Sequence, residues 1–211
     1  HDIASFVYVE PMSYWIALPS EVPRTYAAAM QVLTNDLGGA RSAEQQAMAA
    51  ATFNSGIHTS DGKFSLYLVK APWCDGGVFT LNPDPDLPVT DTLKFTKASV
   101  MHRDIAAAFQ RNAPAHTNQP HAGLDGVYLD SLEMSATQLN YRREHFRTAA
   151  VPLVFDREAR PAQLMIFNTW EFARDIAAQM HRDGKLMFAN AVLWNYAFPA
   201  PLLDVLGTEV N

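Results

Sequence analysis

A short apolar run that ends in a carboxylate constrains this chain more than any other stretch. Residues 123–133 read Gly-Leu-Asp-Gly-Val-Tyr-Leu-Asp-Ser-Leu-Glu. The run Val127, Tyr128, Leu129 predicts a buried strand, because short hydrophobic stretches bounded by Gly and Ser are typical of strands in covered parallel sheets. Asp130 then follows the carboxyl end of that strand, where catalytic residues collect in α/β barrels.

The rest of the chain alternates predicted strands and helices. We predict strands at 3–9, 64–69, 151–155, 185–189 and 201–206, helices at 24–37, 42–53, 102–112 and 169–182, and loops at 11–23, 74–88 and 191–200. This alternation favours βα units around a parallel sheet. We therefore expect residues 1–211 to form a single α/β domain, a (β/α)8 TIM-type barrel. A complete barrel usually takes about 250 residues, so a partial barrel or a fragment of a larger catalytic domain is expected.

Charge and composition exclude several classes of function. The net charge of −6 argues against a protein that binds nucleic acid through clustered Lys and Arg. No apolar run approaches the ~20 residues of a membrane helix, so we expect no membrane partner. Cys74 is the only cysteine, which excludes an internal disulfide and leaves no basis for a Cys-based metal site. Localisation stays open, although a secreted or periplasmic site is favoured for an enzyme that degrades polysaccharide.

Polar residues recur where the predicted strands end: Glu10, Lys70, Asp130, Asp156, Asn190 and Glu209. The carboxyl ends of parallel strands share one rim, so these residues can converge although they are far apart in sequence. Glycoside hydrolysis needs two carboxylates, one to protonate the leaving oxygen and one to attack the anomeric carbon or activate water. The rim therefore predicts a carbohydrate substrate.

The neighbouring loops supply side chains suited to sugar binding. Flat aromatic faces pack on sugar rings, and their polar tips bind hydroxyls. The candidates are Tyr14, Trp15, Trp73, Trp194 and Tyr196. Asn190 and His145 are candidates to bind individual hydroxyls, and Glu10 to bind substrate or to support the rim.

A family resemblance strengthens this interpretation. Residues 123–131 resemble the fourth-strand segment of several retaining glycoside hydrolase barrels of the α-galactosidase and endo-α-N-acetylgalactosaminidase type, and 184–190 resemble a mid-barrel strand of such proteins. The resemblance implies that Asp130 is the nucleophile. Residues 202–209 are similar to the later strand that carries the acid/base, which implies that role for Glu209. The chain lacks the Lys-Tyr-Asp strand end of the α-galactosidases, so no single family is assigned.

Other interpretations remain open. Glu133, three residues after Asp130, is a third candidate catalytic carboxylate, and Asp130 itself could be a turn or helix-capping residue. A non-catalytic carbohydrate-binding barrel is one rival. A metal-dependent barrel hydrolase or lyase is another, with Asp130, Asp156 and Glu10 as oxygen ligands. The histidines lack a metal-binding spacing, so no metal or cofactor is expected. Further domains of the same polypeptide are possible partners.

Overall fold

The computed structural model describes residues 3–113, 123–192 and 197–207. In chain order the elements are β1 (Phe6–Val9), β2 (Ser13–Ala17), α1 (Tyr26–Leu37), α2 (Ala43–Ser55), β3 (Leu66–Ala71), β4 (Cys74–Thr80), α3 (Lys97–Arg111), β5 (Gly126–Leu129), β6 (Leu139–Asn140), a 3-10 helix (Arg143–Arg147), β7 (Val154–Phe155), β8 (Pro161–Leu164), α4 (Met165–Arg182), β9 (Leu186–Ala189), another 3-10 helix (Ala200–Leu202) and β10 (Val205–Leu206). None of the helices within these ranges is both long and apolar enough to cross a membrane.

A parallel sheet with the order β1-β5-β9-β10 is the centre of the fold. Successive residues of a strand point to opposite faces. One face carries Val127 and Leu129, which share a core with apolar side chains of α3 and α4. The other face carries an aromatic row across three strands, in which Tyr8 lies beside Tyr128 and Tyr128 beside Phe188. The helices therefore pack on one face, and the aromatic row occupies the opposite face.

The second sheet is antiparallel and has the order β2-β4-β3, with β4 in the centre. It packs on α1 and α2 through a separate core that includes Ile16, Leu33 and Phe79. Helix α2 begins as the sequence predicts, because the hydroxyl of Ser42 accepts a hydrogen bond from the backbone N–H of Gln45 at 3.2 Å. The first strand of the second sheet, β2, follows β1 directly in the chain and therefore starts beside the rim of the parallel sheet.

A third, small antiparallel sheet has the order β6-β8-β7. Its backbone leads from β8 directly into α4, which returns the chain to the parallel sheet. A cluster of buried polar side chains joins this sheet to the end of α2, since His145 lies 3.0 Å from Asn140 of β6 and 2.9 Å from the carbonyl of Asn54 in α2. The third sheet is thus a connection between β5 and α4 and not part of the central sheet.

The predicted (β/α)8 TIM-type barrel is wrong. The described residues form a mixed α/β fold, in which four helices accompany a four-stranded parallel sheet and two small antiparallel sheets. The predicted loops 11–23 and 74–88 contain β2 and β4, which pair antiparallel with each other, and β4 also pairs antiparallel with β3, in the strand predicted at 64–69. The strand predicted at 151–155 likewise pairs antiparallel, with β8. Two of the expected barrel strands therefore belong to the antiparallel sheets.

Candidate functional site

The parallel sheet brings Glu10, Asp130 and Asn190 together. Each follows the last residue of one of three adjacent strands, β1, β5 and β9. The backbone N–H of Asp130 donates to the carbonyl of Val9, and that of Asn190 to the carbonyl of Leu129, both at 2.9 Å. Because the ladder continues through these two residues, their side chains lie side by side at the rim, with Asp130 in the middle.

Four side chains donate hydrogen bonds to the Asp130 carboxylate. They are the hydroxyls of Tyr8 at 2.8 Å, Tyr128 at 3.0 Å and Ser131 at 3.2 Å, and the Asn190 amide at 3.2 Å. Burial raises the pKa of Asp130, but the four donors outweigh it and the pKa lies below its ordinary value. Asp130 is therefore a fixed, ionised carboxylate.

Tyr8 is the protonated partner of the ionised Asp130 carboxylate. Burial and the hydrogen bond to Asp130 raise the pKa of the Tyr8 phenol above its ordinary value. Tyr8 therefore keeps its proton at neutral pH and remains a donor.

The backbone is strained immediately after two of the rim residues. Ser131 has a φ of 53° and Ala191 a φ of 59°, a left-handed conformation that residues with a Cβ adopt uncommonly. Each strained residue bonds back to the rim residue before it, Ser131 through its hydroxyl and Ala191 through its N–H, which donates to Asn190 Oδ1 at 2.8 Å. Such strain concentrates at functional sites.

Glu10 is held by two residues of β2, Ser13 and Trp15. The Ser13 hydroxyl donates to Glu10 Oε1 at 2.5 Å, and the Trp15 indole N–H lies 3.2 Å and 3.1 Å from the two carboxylate oxygens. The carboxylate is therefore fixed in orientation by residues of the second sheet, although Glu10 itself follows a strand of the parallel sheet.

These side chains surround a cavity of about 430 Å³, here called the Asp130 cavity, lined by Tyr8, Glu10, Trp15, Trp73, Asp130 and Ser131. Its volume is within the range of small-molecule sites, about 300–1,000 Å³. Trp15 and Trp73 meet edge to face, with ring centroids 6.4 Å apart. Two carboxylates and two indoles thus share one cavity, which lies where the parallel sheet meets the second sheet.

The remaining predicted site residues lie elsewhere. Tyr14 lines a neighbouring cavity. Glu133 lies in the turn after β5 and is not among the described residues that line the Asp130 cavity. Trp194, Tyr196 and Glu209 are outside the described residues.

His145 lies away from the rim. It is 2 % exposed, its Nδ1 lies 3.3 Å from Asn82 and 3.0 Å from Asn140, and its Nε2 lies 2.9 Å from the carbonyl of Asn54. Burial, reinforced by the charge of Arg142, lowers the pKa of His145 to about 3. The neutral, enclosed imidazole therefore joins the third sheet to the end of α2.

Of the three ligands in the metal-dependent alternative, Asp156 lies apart from Glu10 and Asp130. Asp156 lies beyond β7, where it accepts hydrogen bonds from Arg160 Nε at 2.7 Å and Tyr141 Oη at 2.8 Å. Across the described ranges, no three His, Cys, Asp or Glu side chains are grouped so as to hold a metal ion.

Sequence reasoning missed the two tyrosines that bind Asp130, although the sequence contains a signal for them. Residues 7–10 read Val-Tyr-Val-Glu and residues 127–130 read Val-Tyr-Leu-Asp, so each rim carboxylate follows a tyrosine by two positions. Residues two apart on a strand share a face. The pairing of β1 with β5 aligns the two patterns residue for residue.

Comparison of the chain with protein families, with curated proteins and with solved structures finds no significant match. Function is therefore inferred from the geometry of the Asp130 cavity.

Proposed function

We propose that this protein is a glycoside hydrolase that cleaves an oligo- or polysaccharide, with Asp130 as the nucleophile of a retaining, two-carboxylate reaction. The observation that carries the proposal is the Asp130 carboxylate, held by four donors at a cavity with two tryptophans and a second carboxylate. A covalent glycosyl intermediate requires an ionised, precisely oriented carboxylate beside the anomeric carbon. The hydrogen bonds to Asp130 supply both properties.

The other side chains of the cavity have complementary roles. Trp15 and Trp73 offer apolar faces for a sugar ring. Glu10 is already held by Ser13 and Trp15, so we assign it to the binding of a substrate hydroxyl. Glu209 remains the proposed general acid/base, on the family resemblance alone.

The test of the nucleophile uses Asp130→Asn and Asp130→Gly with a panel of activated aryl glycosides of the common hexoses and N-acetylhexosamines. Both variants should lose at least about a thousandfold in kcat/KM on the substrate that the wild type cleaves. Azide should restore turnover in Asp130→Gly and give a glycosyl azide of inverted anomeric configuration, because azide enters from the side that the carboxylate has vacated. Asp61→Asn, in an exposed turn, is the control and should retain wild-type turnover.

Two results would contradict the proposal. Wild-type-like turnover in Asp130→Asn would exclude Asp130 as nucleophile. Saccharide binding by the wild type without turnover of any substrate would show a carbohydrate-binding protein instead of a hydrolase.

A further inference from the structure

A second cavity, of about 610 Å³, adjoins the Asp130 cavity. It lies between β1, β2 and α3, and we call it the Lys97 cavity. Tyr8, Glu10 and Trp15 line both cavities. The two spaces are therefore neighbouring parts of one cleft, with Glu10 and Trp15 at their junction.

Lys97 is the unusual residue of this second cavity. It is 4 % exposed at the first position of α3, and its Nζ donates to the carbonyl of Ser13 at 2.8 Å. Among the described residues that carbonyl is its sole acceptor, so two of its three N–H donors have none. A buried ammonium with open donors is costly, and an oxygen-rich ligand would relieve that cost.

The charges around the cavity indicate what kind of ligand fits. Three carboxylates line it, those of Glu10, Glu44 and Asp104, against the two cations Lys97 and Arg111. Asp104 is also paired with Arg103 at 2.9 Å, so the cavity has no excess of positive charge that would favour an anionic sugar. A neutral sugar suits the cavity, because its hydroxyls can accept from the ammonium and donate to the carboxylates.

We propose that the Lys97 cavity is a second subsite, which binds a neutral sugar unit of the same chain whose neighbouring unit lies in the Asp130 cavity. The Lys97 ammonium donates to a hydroxyl of that unit, and Trp15 lies against the linkage between the two units. This inference rests on the proposed function and deepens it, since it makes the substrate a neutral oligo- or polysaccharide and not a monosaccharide derivative. The measured consequence is an affinity that rises with chain length.

The test measures binding by the Asp130→Asn variant, through tryptophan fluorescence and calorimetry. The probes are the malto-, cello- and galacto-oligosaccharide series, from mono- to tetrasaccharide, and the oligogalacturonide series as the anionic counterpart. For one neutral series the affinity should rise at least about tenfold with chain length. Adding Lys97→Met should reduce that ratio by about tenfold, the usual cost of losing a hydrogen bond to a charged group.

Lys185→Met is the matched control. Lys185 Nζ also donates to a backbone carbonyl at 2.8 Å, that of Leu124, at the opposite end of the parallel sheet. This variant should keep the full chain-length ratio. If Lys97→Met fails to fold, Ala108→Phe replaces it, because Ala108 lines the cavity from α3 and a larger side chain would fill the space without removing Lys97.

The possible failures are distinguishable. Turnover of an aryl glycoside together with chain-length-independent binding would overturn the second subsite and leave the proposed function standing. An unchanged ratio in Lys97→Met, or in Ala108→Phe where that variant replaces it, would do the same, as would preference for the oligogalacturonides. Neither turnover nor binding of any saccharide would overturn both proposals.

Discussion

At the scale of single residues, the charge of Asp130 depends on its neighbours more than on exposure to water. Tyr8 and Tyr128 approach it from two strands and Asn190 from a third. Each donor stabilises the carboxylate relative to the carboxylic acid, which holds the pKa of Asp130 down against the effect of burial. Removing one donor must therefore raise that pKa.

Tyr8→Phe is the sharpest test of this balance, because Tyr8 makes the shortest of the four hydrogen bonds. We expect the pKa of Asp130 to rise, because the ionised carboxylate loses one of its four hydrogen bonds. The acidic limb of the kcat/KM profile should move upward by the same amount. Titration of the Asp130 carboxyl carbon by NMR measures the shift independently of turnover.

Tyr141→Phe is the matched control for this change. Tyr141 donates to Asp156 at 2.8 Å, the distance at which Tyr8 donates to Asp130. Burial raises the pKa of Asp156, but hydrogen bonds from Arg160 and Tyr141 outweigh it and lower the pKa to about 2. The control should raise the pKa of Asp156 and leave Asp130 unchanged. No shift at Asp130 in Tyr8→Phe would refute the assigned role of Tyr8.

The sequence predicts some of these residues and not their contacts. Asp130 could be located because the apolar run before it identifies a strand end. Its contact with Tyr8 could not, since 122 positions separate the two residues and their meeting depends on which strand lies beside β5. Trp73 was predicted as a site residue from the composition of its loop, but the sequence does not specify that its indole meets Trp15.

At the scale of elements, α4 anchors the segment before β7 through a buried carboxylate. Glu171 Oε1 accepts from the backbone N–H of Ala150 at 2.7 Å, and Asn168 Nδ2 lies 3.4 Å from Glu171 Oε2. Burial, with a further contribution from the charge of Asp84, raises the pKa of Glu171 although its hydrogen bonds oppose this. The folded state therefore holds the Glu171 proton more tightly than the unfolded state does.

This predicts that Glu171→Gln stabilises the protein as the pH rises. Above the unfolded pKa the unfolded state binds fewer protons than the folded state, so the wild type loses stability until the pH passes the folded pKa. Glutamine has no such loss, keeps the acceptor for Ala150 and can donate to Asn168 Oδ1, which has no partner in the described part of the chain. We expect a gain of about 1 kcal/mol at pH 8 and a smaller gain at pH 5, measured by chemical denaturation.

Glu158→Gln is the control for this prediction, because Glu158 is exposed and pairs with Arg160 at the surface. Its free energy of unfolding should change little between pH 5 and pH 8. A Glu171→Gln variant that is less stable than the wild type at both pH values would show that the ionised carboxylate is the stabilising form.

The elements themselves were predictable where local signals decide them. Capping at Ser42 marked the start of α2, and the apolar spacing of α4 marked that helix. Strand β4 was missed because its glycines favour a loop. The second sheet requires glycine at position 76, since a Cβ at Gly76 would lie 2.1 Å from the carbonyl oxygen of Ile16 on the neighbouring strand. A glycine that admits a close backbone and a glycine that bends a loop look the same in sequence.

At the scale of the whole molecule, the Asp130 cavity is a junction between two sheets with different hydrophobic cores, and α2 contributes to both cores. The parallel sheet, which shares a core with α3 and α4, supplies Asp130 and Tyr8. The second sheet, which shares a core with α1 and α2, supplies Trp15 from β2 and Trp73 from the turn between β3 and β4. The parallel half was predictable from its apolar strands. The antiparallel half was not, because the direction in which β3 and β7 pair depends on partners that sequence periodicity does not identify.

This junction predicts a separation between binding and stability at Trp73. Its side chain is 75 % exposed beside the turn between β3 and β4, so Trp73→Ala should leave the free energy of unfolding within about 0.5 kcal/mol of the wild type. The same change removes one aromatic wall of the cavity. In the Asp130→Asn background it should weaken saccharide binding by about tenfold, measured by calorimetry.

Phe155→Ala separates this effect from a general loss of exposed aromatic surface. Phe155 is 70 % exposed on β7, in the third sheet and away from the cavity. It should leave saccharide affinity at the wild-type value. Equal losses in the two variants, or an unchanged affinity in Trp73→Ala, would mean that the turn between β3 and β4 is not a wall of the binding site. Residues of the parallel sheet would then have to supply the contacts with the saccharide.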